Sequence, residues 1–259
     1  MRHLNLVPAT IMSSSNALYT DLSAYYDLMC RDINYLAQSN MVHRLQQLLG
    51  NGGNRHLDLA CGTGPHIRHF IDYGYQCSGL DLNQPMLDLA RARCPEARFV
   101  LHNMASFTLD APVDLVTCFL YSLHYNPSVN ALKQCLASIY NALKPGGLFV
   151  FNAVDKDKIC NLSTIRHGTQ LNNSQFVFES AWHYQGVGEQ QTLKLSIAKT
   201  TAAITEFWQD QHTMVAVSFT ELQALLIPYF EVHMLAHDYA KITPWDQNSG
   251  NAIVVGVKR

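Results

Sequence analysis

Two glycines and one carboxylate are spaced in a way that suits the binding of a nucleoside. Gly62 and Gly64 follow the apolar-rich run His56 to Ala60, and residues without a Cβ let the backbone bend tightly and approach a ligand. Asp81 comes 17 residues after Gly64, and an ionised carboxylate can accept hydrogen bonds from both hydroxyls of a ribose. For a lone aspartate a solvated loop acid is the favoured interpretation, so the prediction depends on the elements around it.

Those elements follow the order strand, turn, helix and strand. His56 to Ala60 predicts a buried strand, Pro65 is a favoured first helical residue, and Gln76 to Leu82 predicts a second strand that contains Asp81. This order is the first half of a nucleotide-binding βαβ unit, in which the ligand lies beyond the carboxyl ends of the strands. The context therefore favours an adenosine site over a solvated acid.

The turn lacks the third glycine that a dinucleotide site requires. A nicotinamide-binding turn has the pattern Gly-x-Gly-x-x-Gly, whereas the third place after Gly64 is Ile67, a poor fit for pyrophosphate binding. The string Asp-Leu-Ala-Cys-Gly-Thr-Gly at 58–64 resembles the Asp/Glu-x-x-x-Gly-x-Gly signature of class I S-adenosylmethionine (SAM)-dependent methyltransferases. The resemblance implies SAM as the cofactor and S-adenosylhomocysteine (SAH) as its product.

The fold implied is α/β, with a Rossmann-like, doubly wound, seven-stranded, mostly parallel sheet and a small antiparallel β insertion. We expect a flexible tail over residues 1–16, and a SAM-binding core with an N-terminal helical cover over 17–154 and 219–259. The insertion is expected over 155–218, where it either covers the substrate or pairs two subunits.

Period-two patterns rich in Phe, Trp, Thr and Ile predict three strands in the insertion, at Gln175 to Tyr184, Thr192 to Thr200 and Ala203 to Gln209. After it, Val232 to Tyr239 and Ala252 to Lys258 predict an antiparallel hairpin at the edge of the main sheet.

Further motifs resemble small-molecule N-methyltransferases, particularly the amino-sugar N,N-dimethyltransferase and glycine N-methyltransferase-like groups. They include Gly79-Leu-Asp81, the helix at Met86 to Arg91, and Asp114 to Cys118. The family commonly has Asp where Asn103 stands, and an Asn carbonyl can also accept the adenine amino group. The cofactor-binding residues implied are Tyr19, Arg31, Asp58, Ala60, Gly62, Gly64, Asp81, Leu82, Met86, Asn103, Met104 and Phe119.

His124 and Tyr125 are the side chains best suited to move a proton at this site. They follow Val113 to Leu120, an apolar run that predicts the fourth parallel strand, whose end borders the ligand in a doubly wound sheet. Histidine titrates near neutrality, and tyrosine can donate or accept a hydrogen bond. We predict that both are catalytic; the alternative is a structural histidine whose hydrogen bonds are satisfied.

Four aromatic or histidine side chains are candidates for the acceptor pocket. They are Tyr26 in the helical cover and Trp182, His183 and Trp208 in the insertion. Ordinary aromatic packing between strands is the alternative for the last three.

Composition disfavours several other classes of protein. The chain has 259 residues, a formal net charge of −2 and 15% charged residues, without the basic stripe that nucleic-acid binding usually leaves. Its seven cysteines form no CxxC pair, so we expect reduced cysteines, no metal site and a cytoplasmic protein. No apolar run approaches the length of a membrane span. The oligomeric state is expected to be a monomer or a homodimer.

These features predict methyl transfer from SAM to a small molecule, at nitrogen, by direct in-line displacement. Two alternatives remain open: a non-catalytic SAM-binding module and, disfavoured by the turn, a nicotinamide-dependent oxidoreductase.

Overall fold

A computed structural model describes residues 11–13, 17–20, 22–202 and 204–259. Short 3₁₀ turns lie at Ala17–Tyr19, Ser122–Tyr125 and Lys156–Lys158. The helices and strands in chain order are β1 (Ile11–Ser13), α1 (Ser23–Met29), α2 (Tyr35–Leu49), β2 (Arg55–Leu59), α3 (Pro65–Asp72), β3 (Gln76–Asp81), α4 (Gln84–Arg93), β4 (Arg98–Leu101), β5 (Val113–Cys118), α5 (Val129–Ala142), β6 (Leu143–Val154), β7 (Ile165–Leu171), β8 (Ser174–Tyr184), β9 (Gln190–Thr201), β10 (Ile204–Val215), α6 (Phe219–Leu226), β11 (Phe230–Ala236) and β12 (Asn251–Lys258).

Seven strands form the central sheet in the order β11-β12-β6-β5-β2-β3-β4. Within β2 to β6, every pair of neighbouring strands is parallel. Strand β12 is antiparallel to both of its neighbours, β6 and β11. Every residue of β5 is buried, as its apolar run predicts for a strand covered on both faces. The seven-stranded, mostly parallel sheet and its antiparallel hairpin at the β11 edge confirm the fold predicted from the sequence.

A second sheet has the order β1-β10-β9-β8-β7 and lies in the predicted insertion, apart from β1. The sequence patterns missed β7, and β10 extends from Ile204 to Val215, well beyond the predicted end at Gln209. Ala203, the predicted start of that strand, lies outside the described residues. The length of β10 matters because its last residues reach the carboxyl edge of the central sheet, where the 3₁₀ turn Ser122–Tyr125 contacts it.

The predicted flexible tail is wrong for Ile11–Ser13, which pair in parallel with Phe207–Gln209 of β10. The edge of β10 offers unpaired backbone groups that a neighbouring strand can satisfy. Residues 1–10 and 14–16 of the predicted tail lie outside the described residues.

The N-terminal helical cover packs between the two sheets. Leu18 and Leu22 are buried against Phe176, Phe178 and Ile197 of the second sheet. This apolar cluster fixes α1 above the carboxyl edge of the central sheet, and it thereby positions the tyrosines of the cover.

Candidate active site

One cavity of about 390 Å³ lies where β2, β3 and β5 end. The N-terminal cover and the end of β10 complete its wall, which includes Ser122, Gln211, His212 and Thr213. Ten of the residues predicted from the sequence line it: Tyr19, Tyr26, Ala60, Gly62, Asp81, Leu82, Met86, Asn103, Met104 and Tyr125.

A larger groove of about 540 Å³ begins at the opposite ends of the strands, where Arg55, Gln76 and Arg98 open β2, β3 and β4. Neither Gly62 nor Asp81 lines that groove. Ligands of open α/β sheets bind at the carboxyl ends of the strands. The smaller cavity is therefore the candidate active site.

The carboxylate of Asp81 holds the glycine turn in place. Its Oδ2 accepts the Gly62 N–H at 2.9 Å, and its Oδ1 accepts the Asn83 N–H at 2.9 Å. Gly62 has φ +54°, a left-handed conformation that a side chain would strain. Burial raises the pKa of Asp81, whereas the backbone hydrogen bonds lower it. Oδ1 also accepts a longer hydrogen bond from the Asn83 side-chain amide, at 3.3 Å. Oδ2 therefore retains a lone pair for one ribose hydroxyl, and a second hydroxyl would replace the Asn83 amide at Oδ1.

The wall beyond Asp81 suits an adenine ring. Met86 is 1% exposed and Leu82 is 64% exposed, so one apolar side chain is fixed in the core and the other lies at the surface. The Oδ1 of Asn103 accepts the Ala105 N–H at 2.8 Å. That bond fixes the orientation of the amide, and the second lone pair of Oδ1 remains for a ligand amino group. These residues and the glycine turn together fit the adenosine of SAM.

Three predicted cofactor residues support the turn without lining the cavity. Asp58 is buried beneath it and accepts a hydrogen bond from the Thr117 hydroxyl at 2.6 Å. Burial raises the pKa of Asp58 to about 7, although this hydrogen bond lowers it. Gly64, at φ +76°, precedes α3, and a Cβ added to it would lie only 3.3 Å from the Ala90 Cβ. Phe119 packs against His66 at 5.1 Å.

Left-handed backbone occurs at the ends of both strands that flank the cavity. Ala60 after β2 has φ 52°, and Leu120 and Tyr121 after β5 have φ 54° and 62°. This conformation is costly for residues with a Cβ and clusters at functional sites. The Tyr121 N–H donates to Asn152 Oδ1 at 3.0 Å, which stabilises the second bend. The two bends direct Ala60 and Leu120 into the cavity wall.

An ion-pair cluster fastens the helical cover to the glycine turn. Arg93 at the end of α4 donates to the Thr63 carbonyl at 2.7 Å and pairs with Asp27 of α1. The Thr63 hydroxyl also donates to Asp27, at 2.6 Å. Arg31, in contrast, donates to the Thr169 hydroxyl at 2.7 Å and does not line the cavity.

Replacing Arg93 with glutamine should weaken SAH binding about five- to tenfold, because the cover that carries Tyr26 loses its charged link to the turn. Titration calorimetry with SAH measures this directly. Arg91→Gln is the matched control, since Arg91 lies on the same helix and pairs only with exposed Asp88. Equal SAH affinity in the two variants would show that the cluster does not stabilise the closed cover.

Tyr125 lies in a chain of polar contacts that crosses the cavity wall. Its hydroxyl is 2.5 Å from the Tyr19 hydroxyl and 2.6 Å from His212 Nδ1. His212 Nε2 lies 3.0 Å from Asp210 Oδ2, although the two groups lack the alignment of a hydrogen bond. Burial raises the pKa of Tyr125 well above its usual value, so its phenol stays protonated at neutral pH. We call the four residues Tyr19, Tyr125, His212 and Asp210 the relay.

His124 faces the interior instead of the cavity. Its Nε2 accepts the Val154 N–H at 3.2 Å, and its Nδ1 lies 3.0 Å from the Val215 carbonyl, to which it must donate. The ring is therefore neutral with the proton on Nδ1. Burial lowers its pKa to about 4, although the bond to Val215 acts in the opposite direction. These contacts join β6 and β10 through the 3₁₀ turn.

Replacing His124 with glutamine should lower the free energy of unfolding at pH 7 by about 1–3 kcal/mol, because two buried backbone groups lose a partner. The folded protein holds His124 neutral, so protonation of the unfolded chain reduces stability as pH falls from about 6.5 towards 4. The variant lacks this dependence on pH. The difference in the free energy of unfolding between the wild type and the variant should therefore shrink by about 1.4 kcal/mol per pH unit across that range.

Urea denaturation at several pH values measures both effects. His233→Gln, on edge strand β11, is the control and should parallel the wild type. A His124→Gln profile that also parallels the wild type would contradict the buried, neutral assignment.

The three insertion residues predicted for the acceptor pocket do not line the cavity. Trp182 packs against Tyr121 at 5.7 Å and His124 at 6.1 Å. Trp208 packs against Tyr25 at 6.3 Å. His183 neighbours Trp182 on β8, and successive side chains of a strand point to opposite faces. Trp182 therefore packs on the turn after β5 and Trp208 packs on α1, and neither reaches the cavity.

The sequence interpretation missed His212. Asp210, His212 and Met214 alternate along β10 and therefore share one face of the strand. That period-two pattern was the available signal, but the predicted strand ended at Gln209.

Residues 57–147 match the family model of a methyltransferase domain. The chain is 28% identical over 149 residues to a dTDP-4-amino-2,3,4,6-tetradeoxy-D-glucose N,N-dimethyltransferase of Saccharopolyspora spinosa, covering 57% of this chain and 60% of that relative. It is 32% identical over 132 residues to a dTDP-3-amino-3,4,6-trideoxy-alpha-D-glucopyranose N,N-dimethyltransferase of Streptomyces venezuelae, covering 50% and 56%. The alignments thus span 60% or less of these curated relatives.

Solved structures share the whole fold. DesVI of Streptomyces venezuelae superposes with a TM-score of 0.80 at 22% identity, covering 93% of this chain and 99% of that one. SAM-bound CalS10, an amino pentose methyltransferase from Micromonospora echinaspora, gives 0.77 at 20% identity over 100% of both chains. The chain shares the Rossmann-like fold of these structures. Residues 57–147 match a methyltransferase domain, as the glycine turn predicted.

Proposed function

We propose that this protein transfers a methyl group from SAM to the nitrogen of a small-molecule amine. The observation that carries the proposal is one cavity whose wall combines Gly62 and Asp81, suited to adenosine, with Tyr19, Tyr125 and His212, suited to an acceptor that must lose a proton. Bound SAM supplies a methyl group activated by its sulfonium. The names of the curated relatives, which are N,N-dimethyltransferases, support nitrogen as the acceptor atom.

The chain's own residues hold the acceptor and manage its proton. Before the nitrogen attacks the methyl group, its excess proton passes to the Tyr125 oxygen while the Tyr125 proton passes to His212 Nδ1, which leaves the nitrogen with a free lone pair. The imidazolium that forms lies beside the Asp210 carboxylate, which stabilises its charge. Positioning in such a site can contribute about 7–11 kcal/mol, more than the roughly 10²–10⁴-fold typical of a general base. Tyr125 keeps the catalytic role predicted from the sequence, and we propose His212 in place of His124.

Cofactor binding is tested first, by titrating purified protein with SAH in a calorimeter. Binding is expected, and its absence in folded protein would refute the proposal. Turnover is then tested by incubating the protein with labelled SAM and pools of small amines, where methylated product is expected. The non-catalytic alternative predicts SAH binding without product from any pool.

The structure describes no helix long and apolar enough to cross a membrane within residues 17–20, 22–202 and 204–259. A cytoplasmic location and a monomeric or homodimeric state remain predictions.

A further inference from the structure

The acceptor end of the cavity is built from aromatic rings. The Tyr19 ring centre lies 5.8 Å from that of Tyr26, 5.8 Å from that of Tyr125 and 5.2 Å from that of His212. Tyrosine faces attract organic cations, and the attraction is stronger where water is excluded. Such a wall suits an amine in its ammonium form.

The charges around this wall are negative. Asp81 lines the cavity, and Asp210, whose side chain is 6% exposed, lies directly behind His212. Burial does most to raise the pKa of Tyr19, and the negative charges of Asp81 and Asp210 raise it further. Both carboxylates therefore act on the acceptor end, where they favour a cation and oppose a phosphate.

No lysine or arginine is among the described residues that line the cavity. Arg93 is engaged by Asp27 and Thr63, and Arg31 donates to Thr169. Lys194 stands opposite Gln211 in the β9–β10 register, whereas His212 stands opposite Leu193. Lys194 therefore shares a face of the sheet with Gln211 and not with His212, and it is not among the residues that line the cavity. Phosphate recognition in proteins usually relies on Arg, Lys or a helix N-terminus. Helix α4 does begin at the cavity, but its N-cap Asn83 donates to the carboxylate of Asp81, which disfavours a second anion there.

We propose that the acceptor is a small amine that carries no phosphate and that enters the site as an ammonium ion, recognised by the tyrosine wall and Asp210. This inference rests on the proposed function and names the substrate class. It separates this chain from relatives whose names specify dTDP-linked amino sugars.

The test uses three probes on full-length protein saturated with SAH, with binding followed by NMR titration. Tetramethylammonium resembles a methylated ammonium product, tert-butanol is its neutral counterpart of similar size, and dTDP carries the diphosphate. We expect tetramethylammonium to bind at least about tenfold more tightly than tert-butanol, and dTDP not to bind at millimolar concentration. Asp210→Asn should weaken tetramethylammonium about tenfold, while Glu231→Gln on distant β11 should leave it unchanged.

Binding of dTDP below about 1 mM, or equal affinities for the charged and neutral probes, would overturn the inference while leaving methyl transfer intact. The wild-type comparison of the three probes decides this even if Asp210→Asn fails to fold. Failure of SAH to bind in the preceding titration would instead refute the proposed function itself, and this inference with it.

Discussion

Replacing His212 with glutamine should lower kcat/KM about 10²–10⁴-fold at pH 7, using the amine that the labelled-SAM screen identifies. A glutamine amide can still contact the Tyr125 hydroxyl, but it cannot take up a proton. The affinity of this variant for SAH should stay within about twofold of the wild-type value, since the relay lies at the acceptor end of the cavity.

The pH profile distinguishes proton transfer from a structural role. Raising the pH deprotonates the amine in solution, so the deficit of the variant should shrink steadily in alkaline buffer. If the loss of kcat/KM in His212→Gln is the same at every pH, His212 only positions neighbouring groups and does not take up a proton. His233→Gln, far from the cavity on β11, should retain wild-type turnover throughout.

Replacing Asp81 with asparagine should weaken SAH binding by about 2–4 kcal/mol, or about 30- to 1,000-fold. The new amide nitrogen would face the Gly62 or Asn83 N–H, both of which now donate to the carboxylate. The substitution therefore disturbs the glycine turn and also removes an acceptor for the ribose. This double role makes the expected loss larger than that of a ribose contact alone.

Calorimetry with SAH measures this loss, and circular dichroism checks that the variant is folded. Asp88→Asn is the matched control, because Asp88 is an exposed acid on α4 that pairs with Arg91. SAH affinity within twofold of the wild type in folded Asp81→Asn protein would show that Asp81 does not hold the ribose.

Most of the residues predicted to bind the cofactor line one cavity, and the sequence could place them together because they are close along the chain. Gly62, Asp81 and Met86 lie within 25 residues of one another, and the unit β2-α3-β3 together with the helix α4 that follows it brings them together. The acceptor half of the site depends on contacts between residues that are far apart in the sequence. Tyr125 meets Tyr19 across 106 residues and His212 across 87, and no spacing rule in a single sequence reports such pairs.

His124 was placed wrongly in the reasoning from sequence for a geometric reason. It lies in the 3₁₀ turn Ser122–Tyr125, where three residues complete one turn and neighbours therefore point about 120° apart. Tyr125 faces the cavity, so His124 points towards Val154 and Val215 in the interior. The sequence identified the right loop, and only the backbone conformation could decide which of its side chains reaches the ligand.

The division of the cavity between two parts of the chain has an evolutionary consequence. Asp210 and His212 belong to a strand beyond residue 147, where the methyltransferase-domain match ends, whereas Gly62 and Asp81 lie within it. Because we propose that β10 contacts the acceptor, we expect mutations in β10 to change the acceptor while the glycine turn and its carboxylate stay as they are. Such a protein can acquire a new substrate by altering one hairpin, without first losing its methyl donor.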